Sequence, residues 1–147
     1  MDLRGKMCIL YPFSAGGAVL PQNVNFNLIA QSFHGAIAAE LAKAGLDVRM
    51  PVPGAPDQGV VIRGQFVKAD PGKRWMRYFL TWLPGAAAVM EVEGWVADGD
   101  VPVTQFHSVG KRNIGALGGD SQGMLDGAAK LAGQRVAQQA MAALAQR

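Results

Sequence analysis

Residues Val60 to Asp100, VVIRGQFVKADPGKRWMRYFLTWLPGAAAVMEVEGWVADGD, decide the fold, because they read as three consecutive strands with a turn signal at each join. Side chains alternate along a strand, so in residues 59–68 Val60, Ile62, Gly64 and Phe66 share one face while Val61, Arg63, Gln65 and Val67 share the other. The first set is expected to face helices. Asp70-Pro71-Gly72-Lys73 follows, with proline presetting the second turn position and glycine tolerating positive φ at the third, which predicts a hairpin into Arg74–Leu83. That strand carries Trp75, Tyr78, Phe79 and Trp82, and Pro84-Gly85 closes it. Next, Ala86–Ala97 places Ala88, Met90, Val92 and Val96 inward against Val89, Glu91, Glu93 and Trp95 outward. Asp98-Gly99 then turns into Val101–Val109, completing an antiparallel meander.

Upstream, Met7–Phe13 is a short apolar run ended by Pro12 and the Ser14-Ala15-Gly16-Gly17 cluster, and it reads as a first strand. Phe26, Ile29, Ala30, Phe33, Ile37, Leu41 and Ala44 recur at steps of three and four, the period of an amphipathic helix, with Asn25 or Asn27 available as cap and Gly45 placed for the left-handed residue at its end. Leu46–Met50 is extended, and Pro51, Pro53, Gly54 and Pro56 make a stiff connector. Downstream, Gly110–Gly123 is expected to be a flexible glycine-rich loop. A last helix follows with an alanine-rich stripe through Leu125, Ala128, Leu131 or Ala132, Val136, Ala140 and Leu144, and Asp120 or Ser121 near its start. Gly127 and Gly133 inside it suggest a close approach to a neighbouring element, since glycine there costs about 1 kcal/mol relative to alanine. The expected architecture is one α+β domain over residues 1–147, in the order β-α-β-β-β-β-β-α, a mainly antiparallel meander sheet packed by two helices.

Composition limits the function classes. The chain has 147 residues, half of them apolar and 17% charged, enough to bury a core without disulfide or metal support. A net charge of +3 permits anionic partners without requiring them. The lone cysteine, Cys8, lies in the apolar run Met7–Leu10 and reads as a buried, inert thiol. No stretch reaches the roughly 20 apolar residues that span a bilayer.

Chemical sites are sparse. Lys111 precedes the glycines of its loop, whereas a phosphate-binding loop needs lysine and a hydroxyl residue after them. His34 and His107 are lone imidazoles remote in sequence from Cys8, too few for a zinc site. Glu91 and Glu93 lie about 7 Å apart on one strand face and read as a solvated pair. No activated serine is visible. No enzyme activity, cofactor or metal is therefore expected. Arg63, Lys68, Lys73, Arg74 and Arg77 cluster around the first hairpin with Trp75 and Tyr78 between them, a mixture that could contact single-stranded nucleic acid. Because the aromatics run on into Phe79 and Trp82 and occupy both strand faces, a packed core with solvated turn charges is the favoured alternative. A strand apolar on both faces also predicts that part of the surface meets another subunit or an envelope component.

Arg63-Gly64-Gln65-Phe66, Asp70-Pro71-Gly72-Lys73-Arg74, Arg77-Tyr78, Pro84-Gly85-Ala86-Ala87, Val92-Glu93-Gly94 and the Asp98-Gly99 turn, in that order, resemble the bacterial family catalogued as domain of unknown function 4410. The resemblance covers residues 28–146 and departs from the pattern at Thr81-Trp82-Leu83-Pro84, where the family is richer in glycine. It implies a small α/β accessory domain of the Gram-negative periplasm or outer membrane, with no catalytic residue to carry over. No leader is visible, so a periplasmic or outer-membrane location presumes that one was removed, and the cytoplasm is the alternative. The expected function is a non-enzymatic envelope accessory or assembly protein that binds protein subunits, as a homo-oligomer or in a larger assembly. Trp75, Trp82 and Trp95 are the candidate interface residues. The alternatives are a cytoplasmic nucleic-acid-binding module using the basic hairpin, or a binder of a small apolar ligand.

Overall fold

Helix α1 (Phe26–Lys43) is bounded by the chemistry its sequence supplies. Asn25 is the cap, its side chain accepting from the backbone N–H groups of Asn27 at 3.0 Å and Leu28 at 3.4 Å. At the other end Gly45 has a φ of 93°, Leu46 N–H donates to the Leu41 carbonyl and Gly45 N–H to that of Ala42. This paired closure needs a left-handed residue, which glycine adopts without a Cβ penalty. In this computed structural model residues 3–16, 24–70, 88–112 and 121–146 are described.

Five strands, β1 (Met7–Leu10), β2 (Asp47–Arg49), β3 (Val60–Asp70), β4 (Ala88–Asp98) and β5 (Val101–Arg112), form one sheet in the order β2-β1-β3-β4-β5. The α+β architecture follows the expected element order, and the expected strand at residues 74–83 lies outside the described residues. The sheet is mixed: β1 is parallel to both β2 and β3, while β3, β4 and β5 run antiparallel in turn. Parallel pairing of β1 with β2 follows from α1, which supplies the crossover that two parallel strands require. Sequence reading places residues 74–83 next to β3; the strand that pairs with β3 along its length is β4, from Val60↔Asp98 to Asp70↔Val89.

The inner face matches the alternation. Val60, Ile62, Phe66, Met90, Val92 and Val96 are all fully buried, with Ile29, Phe33, Ile37 and Leu41 of α1 and Leu125, Ala128, Ala132 and Val136 of α2 (Ser121–Ala145) in the same core. A bulge at Phe66/Lys68 inserts Val67, so that Ala69 returns to the core three positions after Phe66. The Phe33 ring sits 4.7 Å from that of Phe13 and 5.0 Å from that of Phe66, edge-on in both cases, joining the helix to the end of β1 and to β3. Opposite them Gly64 pairs with Gly94, and a Cβ on either would meet a ring, that of Phe13 at 2.5 Å or Phe106 at 2.7 Å.

The two ends of the expected glycine-rich loop at Gly110–Gly123 belong to regular elements. Residues 110–112 belong to β5 and residues 121–123 to α2, leaving residues 113–120 outside the described part of the chain. Gly110 is glycine for packing: a Cβ there would stand 2.6 Å from the backbone nitrogen of Ala132.

Candidate functional site

Both described helices cover one face of the sheet, and the other face carries the residues that could act on a partner. Its central row across β3, β4 and β5 is Arg63, Trp95 and Gln105; the next is Gln65, Glu93 and His107. Trp95 leaves 51% of its surface exposed, which alternation explains: it occupies an outward position of a strand whose inward residues fill the core. Gln65 Nε2 donates to Glu93 Oε1 at 2.8 Å, and His107 Nε2 pairs with Glu91 Oε1 one step along. Gln65, Glu93, Trp95, Gln105 and His107, with Gly94 and Phe106 between them, line a shallow depression of about 440 Å³. It offers an aromatic plane rimmed by amides, carboxylates and an imidazole, groups suited to non-covalent contact.

At one end the same face is closed by the connector of residues 51–58. Asp57 accepts a hydrogen bond from the Tyr11 hydroxyl and an ion pair from Arg63 at 3.0 Å, while the Arg63 guanidinium lies 3.8 Å from the centre of the Tyr11 ring. The Tyr11 hydrogen bond holds the Asp57 carboxyl below its usual range, and the same bond pushes the Tyr11 phenol up. Beneath this connector Ile9 and Val61 are buried although they point away from the helices, and Met7, Ile9, Met50, Val52 and Pro56 line a pocket of about 210 Å³ there.

The structure separates the residues singled out from sequence. Trp95 is at the surface, as its strand position predicts, whereas Trp75 and Trp82 lie outside the described residues. Of the basic set, Arg63 is engaged by Asp57 and Tyr11, Lys68 is exposed opposite Glu91, and Lys73, Arg74 and Arg77 lie outside the described residues. His34 is half-buried on α1 beside a groove lined by Pro12, Phe13, Ala30 and Met50, and burial lowers its pKa from the ordinary histidine value. Sequence reading missed Tyr11 and Asp57; the Pro-rich connector was visible, but its contact with β3 is tertiary. Among the described residues no cluster of three or more histidine, cysteine or carboxylate side chains could hold a metal ion, and no helix is long and apolar enough to cross a membrane.

Among the described residues, a mixed five-stranded sheet carries two helices on one face and polar and aromatic side chains on the other, which defines a small α+β domain. The family model described as "Domain of unknown function (DUF4410)" matches residues 21–145, and the chain belongs to that family. No curated protein matches it in sequence. Among solved structures, the PelC dodecamer from Paraburkholderia phytofirmans is 15% identical, with a TM-score of 0.53 over 92% of this chain and 88% of that one. The hypothetical protein CT253 from Chlamydia trachomatis is 12% identical, with a TM-score of 0.58 and 95% of both chains covered. Protein XCC0632 from Xanthomonas campestris is 10% identical, with a TM-score of 0.55 over 97% of this chain and 86% of that one. At these identities the likeness is one of fold.

Proposed function

We propose that this protein is a non-enzymatic assembly subunit of the cell envelope that binds other protein subunits, copies of itself first, through the sheet face opposite its two described helices. The observation that carries this reading is Trp95, half exposed at the centre of that face between Arg63 and Gln105. Tryptophan in such a setting loses a large apolar area from water when a partner covers it, and interface anchors are enriched in it. The polar ring of Gln65, Glu93 and His107 supplies the hydrogen-bonding rim that interfaces carry. The PelC structures lend support as dodecamers sharing this fold, and the envelope location rests on the sequence resemblance. Light scattering coupled to size exclusion tests it. The chain alone weighs 15.5 kDa, so the wild type should elute at a multiple of that mass and Trp95→Ala should fall towards the single chain. A wild type that stays a single chain at every concentration sinks self-association through this face.

A further inference from the structure

Strand β5 is 12 residues long and, among the described residues, has β4 on one side and no strand on the other. A free edge of that length is a template for another strand. Carbonyls two residues apart point to the same side of a strand. Along β5, three successive ones on one side are each taken by a side chain. Thr104 Oγ1 donates to the Gln105 carbonyl at 3.0 Å, Gln139 Nε2 to that of His107 at 3.5 Å, and an Arg135 guanidinium nitrogen to that of Val109. Arg135 and Gln139 are four apart on α2, so they stand one above the other on the helix flank that overhangs β5. That overhang is made possible by Gly110, which lets Ala128 and Ala132 approach the strand. The ends of β5 carry two further obstacles to pairing: Pro102, which has no N–H, and the exposed charge of Lys111.

We infer that Arg135 and Gln139 are edge guards: they hold β5 closed to strand addition, including addition of β5 from a second copy. Two identical edges pair most simply antiparallel about a twofold axis, which would join two five-stranded sheets into one. Closure of the edge is independent of what binds the face at Trp95, and it directs association to that face by removing the competing mode.

The test is the double variant Arg135→Ala/Gln139→Ala, both side chains being exposed, with thermal unfolding by circular dichroism as the check on folding. Its mass should exceed that of the wild type measured side by side, twofold if the wild type is a single chain and by more if each copy in a wild-type assembly gains an open edge. In the paired form, amide exchange at Gln105, His107 and Val109 should slow by about tenfold or more. The single variants Arg135→Gln and Gln139→Leu, each keeping part of the cap, should associate more weakly. Folded variants with wild-type mass and exchange would overturn the assignment. So would failure of both single variants to fold, because edge closure gives these side chains no part in holding the domain together.

Discussion

Gly133 of α2 lies against the carbonyl of Phe33 on α1, so close that a Cβ on the glycine would stand 2.7 Å from that oxygen and 3.0 Å from the Ala36 Cβ. Two effects oppose each other in Gly133→Ala. Alanine favours the helix by about 1 kcal/mol, whereas overpacking a tight seam costs about 1–3 kcal/mol. The obstacle is backbone, which gives way least, so the clash should win and the variant should lose about 1–2 kcal/mol in urea unfolding. A variant as stable as the wild type would mean that the helices can separate at no cost.

Ser108 tests the opposite sign. It is 3% exposed on the inner face of β5 opposite Val92, and its hydroxyl oxygen has no hydrogen-bond partner among the described residues. Burying a hydroxyl without a partner costs about 1–3 kcal/mol. Ser108→Ala removes that cost and leaves only a small void, so its unfolding midpoint should rise, by an amount equivalent to about 1 kcal/mol. A fall of similar size would reveal a partner for the hydroxyl.

Much of this arrangement is legible in the sequence because period reports burial. The steps of three and four from Phe26 to Leu41 locate α1, and alternation in β3 and β4 sorts Val60, Ile62, Met90 and Val92 from Trp95 and Glu93. Period fails where a contact is made by a residue far along the chain. The bulge at Val67 breaks the alternation for a packing reason that β3 alone does not carry. Gly110 reads as a loop residue because its use, admitting α2 to the sheet, depends on Ala128 and Ala132. Arg63 reads as one of a basic cluster because its partner Asp57, only six residues away, is brought onto it by the path of the connector, which no period reports.

Cys8 sits in the middle of β1, between Val48 of β2 and Val60 of β3, fully buried. Burial pushes its thiol up to about 12, so that near pH 8 only about one molecule in ten thousand carries the reactive thiolate. Labelling with an aromatic disulfide reagent at pH 8 should therefore be slow in the native protein and rapid in denaturant. Native labelling at the rate of a free thiol would contradict the burial.

His34 makes stability depend on pH in a defined direction. Burial lowers its pKa in the folded protein below the ordinary value of 6.5, so the unfolded chain binds the proton more readily than the native one. A group of this kind contributes stability that is present above the unfolded pKa and is lost as pH falls through the folded value. Unfolding by urea at pH 7.5 and at pH 5.0 should thus show a larger loss in the wild type than in His34→Gln, whose side chain does not titrate. Every other titratable group is common to the two proteins, so the difference between them belongs to position 34. Equal losses in the two proteins would show that α1 yields to admit the charged imidazole to water, and that the groove beside Phe13 and Met50 opens at no measurable cost.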